Sequence, residues 1–168
     1  MKKALIVIDM QNDFITGSLA NPSAEAIVKP IAEKIASFDG TVIATRDSHD
    51  KNYLETSEGK ALPVIHCVIG TEGWKIETNI ADAILKKEDR IILNKATFGT
   101  FEWNLSDYDS VEIVGTCTDI CVVTNALIIK TMYPDCRVTV FSSLCAGLTP
   151  EKHLAALETM RSCQIIVE

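Results

Sequence analysis

Short apolar runs that alternate with stretches of helical spacing constrain this chain more than any other feature. The runs Ala4–Ile8, Thr41–Thr45, Arg90–Leu93, Val111–Val114, Arg137–Phe141 and Gln164–Val167 read as six strands. Between them, Pro22 opens a helix whose apolar positions Ile27, Ile31 and Ile35 recur at about one turn each. A second helix is predicted near Ile80–Lys86 and a third over Ile120–Tyr133. Thr149-Pro150-Glu151 supplies a cap and first turn for a fourth, running through Met160 with Leu154 and Leu157 facing inward. Strands alternating with helices indicate a parallel sheet covered on both faces. The prediction is an α/β fold, a three-layer sandwich around a six-stranded, mainly parallel, doubly wound, Rossmann-like sheet. At 168 residues the chain reads as one domain, 1–168. In open sheets of this kind ligands bind beyond the carboxyl ends of the strands.

Composition removes several classes of function. No apolar run reaches the roughly 18 residues of a membrane helix. The start, Met1 to Ile8, resembles the beginning of a signal peptide, but Asp9 ends the apolar run too early. It reads as a first strand, and the protein as cytoplasmic. Six cysteines at irregular spacing on apolar strands and helices read as reduced thiols rather than a disulfide framework. A net charge of −7 without a basic cluster argues against nucleic acid as a partner. Neither a membrane nor a polyanion is expected, while homo-oligomer formation is left open.

Polar residues at the predicted strand ends carry the chemistry. In Val111–Cys121, an apolar strand meets Gly115, where the backbone can turn sharply, and Thr116–Asp119 supply capping side chains before the next helix. Cys121 would then sit in the first helical turn, where free N–H groups and the helix dipole favour the thiolate. Asp9 follows strand one and Lys95 follows strand three. Taken singly, these residues read as a buried structural thiol, a turn cap and a solvated surface cation. Emerging together at one end of the sheet, they form a nucleophile, its base and a charge stabiliser.

The stretch from Arg46 to about Thr78 is longer than a plain connection requires, and loops of that length are usually functional or disordered. Asp47 and His49 alternate in extended chain, so their side chains point the same way. His66 lies further on, with Glu55 and Glu58 between. This mixed nitrogen and oxygen set suits zinc, iron or manganese, against the alternative of scattered surface acids. His153 reads as structural surface.

Several separated motifs in this order resemble the isochorismatase-like cysteine hydrolases, and within them the nicotinamidase branch. They are Ile8-Asp9-Met10-Gln11-Asn12-Asp13-Phe14, Thr45-Arg46-Asp47-Ser48-His49, His66-Cys67 with Gly70-Thr71, Asn94-Lys95, Gly115–Cys121, and Ala146-Gly147. The resemblance implies a catalytic triad of Asp9, Lys95 and Cys121. It also implies a cis peptide between Thr116 and Cys117 that helps aim the N–H groups of Cys117 and Cys121 into an oxyanion hole. Asp47, His49 and His66 match the metal ligands of nicotinamidases, and Glu58 the acidic one, with Glu55 the alternative. The ion implied is divalent, zinc first and iron or manganese next. Phe14 matches a ring-packing position, and Phe98 or Phe101 would supply the aromatic that Leu62-Pro63-Val64-Ile65 lacks before His66. The reaction implied is hydrolysis of a small carboxamide through a thioester, nicotinamide giving nicotinic acid and ammonia and so feeding NAD salvage. The alternatives are a metal-independent relative acting on an N-carbamoyl amide or enol ether, and a thiol-redox or binding protein using Cys117 and Cys121.

Overall fold

The computed structural model describes residues 2–168. Six strands, β1 (Lys3–Ile8), β2 (Thr41–Asp47), β3 (Arg90–Lys95), β4 (Ser110–Thr116), β5 (Arg137–Ala146) and β6 (Ile166–Val167), form one sheet in the order β3-β2-β1-β4-β5-β6. Every pairing in it is parallel, so "mainly parallel" becomes wholly parallel. The helices are α1 (Asn12–Ile15), α2 (Pro22–Ser37), α3 (Ser57–Ala61), α4 (Thr78–Leu85), α5 (Val123–Met132) and α6 (Pro150–Ser162). No helix among the described residues is long and apolar enough to cross a membrane.

The apolar runs become strands because both faces of the sheet are covered. In β1, Leu5 and Val7 join the layer packed under α2 and α4, while Ala4, Ile6 and Ile8 join the layer under α5 and α6. A strand buried on both sides has no polar face to show, which is why its sequence is continuously apolar. β1 lies at the centre, with β2 on one side and β4 on the other. The chain reverses its direction of winding there, and the crevice at such a switch point is where open parallel sheets hold ligands. The carboxyl ends of β1, β2, β3 and β4 lead into Asp9, Asp47, Lys95 and the Cys121 turn.

Five local expectations are corrected. Leu154 is 62% exposed, because only one stripe of α6 (Ala156, Leu157 and Met160) reaches the core. β5 runs on to Ala146, since after a register shift Gly115 and Thr116 pair with Cys145 and Ala146. β6 is confined to Ile166–Val167, Gln164 having turned into the left-handed region at φ 64°. Thr116–Asp119 do not cap the next helix: Cys117 occupies the cap position without a side-chain bond, and the chain winds through a wide π-type turn, Thr118–Val122, before α5. The Thr118 hydroxyl instead lies 2.8 Å from His153 Nδ1, and Asp119 Oδ1 accepts from the Leu148 N–H at 2.9 Å. His153 is therefore tied to the turn carrying Cys121 rather than being plain surface. The long connection is ordered by a 3₁₀ turn, Tyr53–Glu55, and by α3.

Gly115 is required where it stands. Its φ is +123°, and a Cβ there would lie 2.2 Å from the Ile8 carbonyl oxygen. Only a residue without Cβ lets β4 approach β1 so closely at the edge of the site. Gly115→Ala is expected to lower stability by about 2–3 kcal/mol, read as a fall in the urea midpoint at unchanged m-value.

Candidate active site

Asp9 leaves β1 with φ 48°, a left-handed conformation that aspartate tolerates better than most residues. This turn aims a fully buried carboxylate along the sheet edge. Its Oδ2 lies 2.6 Å from Lys95 Nζ, and its Oδ1 accepts a 2.6 Å hydrogen bond from the Thr45 hydroxyl. The same hydroxyl accepts the Asp9 N–H at 3.1 Å. Lys95, itself buried, also donates to the Thr97 carbonyl at 3.1 Å and reaches Cys121 Sγ at 3.6 Å. Residues distant along the chain thus meet at one point, and a buried acid and amine are tolerable together because each neutralises the other.

Electrostatics sets the resting protonation. Burial, reinforced by the negative charge of Asp47, pushes the Asp9 carboxyl up, and Lys95 and Thr45 pull it down without cancelling the rise. Burial works against the Lys95 ammonium, but Asp9 above all, with Cys121 and Asp47, holds it above the usual lysine range. The Cys121 thiol is raised well above its ordinary value by burial and by the Asp9 charge, with Lys95 opposing. The thiolate expected from the helix terminus is therefore corrected: the first turn is buried beside a carboxylate, and that outweighs the dipole. Burial also pushes the Cys117 thiol up to about 11.

A second cluster borders the first. Asp47, His49, Glu58 and His66 each offer one ligand atom, and these atoms all lie within 4.8 Å of one another. His49 Nε2 is 2.9 Å and His66 Nε2 3.5 Å from Asp47 Oδ2. Glu58 Oε1 is 3.8 Å from His49 Nε2 and 3.9 Å from His66 Nε2. Asp47 Oδ1 approaches Lys95 Nζ at 3.5 Å, which joins the two clusters.

Each of these positions has a local cause. The Gln11 side chain holds the end of β2 by donating to the Asp47 carbonyl at 2.8 Å and accepting the Asp47 N–H at 2.7 Å. The Thr56 hydroxyl accepts the Gly59 N–H at 3.0 Å and caps α3, whose first turn presents Glu58. Glu55 stays exposed outside the cluster. His66 Nδ1–H donates to the Val64 carbonyl at 2.7 Å, which fixes the tautomer and turns Nε2 toward the carboxylates. The Tyr53 ring packs on both imidazoles, with centroids 4.6 Å and 4.9 Å away.

Burial favours a neutral Asp47, but His49, His66 and the charge of Lys95 hold its carboxyl far below the usual range. Two imidazoles and two carboxylates in one small volume form the donor set of a divalent transition-metal site, and the residues fit such an ion.

Both clusters open on one cavity of 520 Å³. Its wall includes Asp47, Glu58, His66, Cys117 and Cys121, together with Phe14 and Phe98. Phe101 is 76% exposed and takes no part in the wall. Sequence reading missed Thr45, the Tyr53 platform and the apolar wall made by Leu19, Leu62, Ile120 and Leu148. Thr45 had a signal, because a hydroxyl two residues before Asp47 in a buried strand needs a polar partner. The apolar wall had none, since it is assembled from four separate connections.

The Isochorismatase domain model matches residues 3–168. A nicotinamidase/pyrazinamidase of Mycobacterium tuberculosis is 30% identical, the match covering 97% of this chain and 96% of that one. Among solved structures, the pyrazinamidase of Pyrococcus horikoshii in complex with zinc superimposes with a TM-score of 0.84 at 30% identity, over 100% of this chain and 99% of that one. The pyrazinamidase/nicotinamidase of Streptococcus mutans gives 0.86 at 28% identity, over 99% and 100%.

Thr45→Val removes the hydroxyl that serves both ends of Asp9. It is expected to cost about 1–3 kcal/mol by leaving a buried carboxylate and an N–H under-bonded, measured by chemical denaturation, with Thr45→Ser restoring most of the loss.

Proposed function

Because the chain belongs to the isochorismatase family, as the match over residues 3–168 shows, we propose that it hydrolyses nicotinamide to nicotinic acid and ammonia through a thioester on Cys121. The observation that carries this reading is that Asp9, Lys95 and Cys121 converge beside the four-ligand cluster while both border one cavity. The similarity to nicotinamidases and pyrazinamidases supports the same substrate class.

In this mechanism Cys121 rests as a thiol and Asp9 as a carboxylate held by Lys95. Asp9 takes the thiol proton as sulfur attacks the carboxamide carbon, so the negative charge on Asp9 moves to the substrate oxygen. The backbone N–H groups of Cys117 and Cys121 receive that oxyanion, and donors of this kind are worth about 2.7–4 kcal/mol each where tested. Lys95 keeps its proton throughout and balances whichever atom carries the charge. Asp9 then protonates the departing nitrogen, the C–N bond breaks and ammonia leaves a thioester. Water, deprotonated by Asp9, adds to the thioester carbon, the C–S bond breaks, and the proton returns to sulfur as the acid departs. Phe14 and Phe98 would pack the ring.

Asp47, His49, Glu58 and His66 would hold the divalent ion, with zinc the first choice from this donor set. When bound, the ion supplies a Lewis-acid anchor for the ring nitrogen of the substrate. Six cysteines without a disulfide support a reducing compartment, the cytoplasm.

Two outcomes test this reading. Cys121→Ala is expected to lower ammonia release from nicotinamide by at least about a thousandfold, and turnover near the wild-type rate would remove the thioester from the mechanism. In the wild type, kcat/KM should fall as Asp9 gains its proton. Since burial raises that carboxyl, the acid limb is expected above the ordinary carboxylate value of 3.8. For the metal, Glu58→Ala should weaken zinc binding by at least about tenfold, read by competition with a chromogenic chelator, while Glu55→Ala should leave it in place.

A further inference from the structure

The wall of the cavity changes character from its buried end to its mouth. Asp47, His66 and Cys121 at the inner end are nearly inaccessible. Leu62, Phe98 and Leu148 line the same cavity but are 39%, 47% and 50% exposed, so three large apolar side chains stand partly wet at the opening. A pyridine ring anchored at the inner end, with its carboxamide at Cys121 and Phe98 against its outer edge, would leave Leu62, Leu148 and the rest of the Phe98 ring uncovered. At 520 Å³ the cavity falls within the roughly 300–1,000 Å³ of sites that enclose drug-sized ligands.

Charge narrows the choice further. Asp47 and Glu58 border the cavity, and no lysine or arginine does so among the described residues. An anionic tail lying among Leu62, Phe98 and Leu148 would find no side-chain cation to pair with, and desolvating it there would be costly.

We propose that the favoured substrate is a neutral pyridine carboxamide carrying an apolar ring substituent that runs out between Leu62, Phe98 and Leu148. This rests on the carboxamide hydrolysis proposed above and names which members of that class bind best. The substituent gains by covering surface that water otherwise wets, so the effect grows with its length until the chain clears the mouth.

The test compares initial rates for nicotinamide with those for nicotinamides bearing methyl to butyl groups at each free ring carbon. The same chains ending in a carboxylate form a second set. In one positional series KM is expected to fall by about fourfold for each added methylene, and a terminal carboxylate should erase the gain. Leu148→Asn should flatten the dependence on chain length, and so should Leu62→Gln. If nicotinamide turns over while KM stays level or rises with chain length in every series, this inference is overturned and the hydrolase reading stands. If no carboxamide is turned over at all, the hydrolase reading fails and this one with it.

Discussion

The contact between Lys95 and Asp9 is the interaction on which the site depends. An ammonium and a carboxylate 2.6 Å apart have both been taken out of water at the rim of a sheet. Either alone would be strongly destabilising there, and removing one partner from a buried pair typically costs about 3–5 kcal/mol. The pair therefore holds β1 and β3 to a fixed stagger although β2 separates them. Thr45 on that intervening strand completes the arrangement by bonding to Asp9. Three adjacent strands thus deliver one preset charge distribution, to which the Cys121 turn adds a sulfur.

In the proposed thioester mechanism, this electrostatic frame explains why Cys121 need not be ionised in advance. Helix position argues for a thiolate, but position is a weak argument once the group is buried next to a carboxylate. A thiol with a base beside it and an ammonium ready to balance charge reaches the same reactive state only when substrate arrives. Asp47 extends the frame, because it borders Lys95 on one side and both imidazoles on the other. Any ion held by that cluster would act on Lys95 and Asp9 through a single carboxylate.

Much of this was legible in the residues, and what was not has identifiable causes. The strands were readable because central parallel strands must be apolar throughout, and β1 is the clearest example. Asp9, Lys95 and Cys121 stood out because each interrupts or follows such a run, and parallel strands bring like ends together. The spacing of Asp47 and His49 was readable from strand alternation alone. The choice of Glu58 over Glu55 came from the family resemblance and not from spacing, since it depends on how the 3₁₀ turn and α3 fold back over Tyr53. The extension of β5 to Ala146 was hidden because it relies on a register shift opposite Gly115. Leu154 misled because α6 buries a single stripe, and an apolar residue beside that stripe fits helical spacing equally well.

The strand order also governs how the polypeptide acquires this shape during synthesis. β1 takes its place between β2 and β4, yet β4 is translated some seventy residues after the first of those neighbours begins. Until Ser110–Thr116 leaves the ribosome, one flank of β1 has only unpaired amide and carbonyl groups to offer. Such a nascent intermediate carries an open margin of the kind that pairs with other unfinished chains, and the arrival of β4 is the step that closes it.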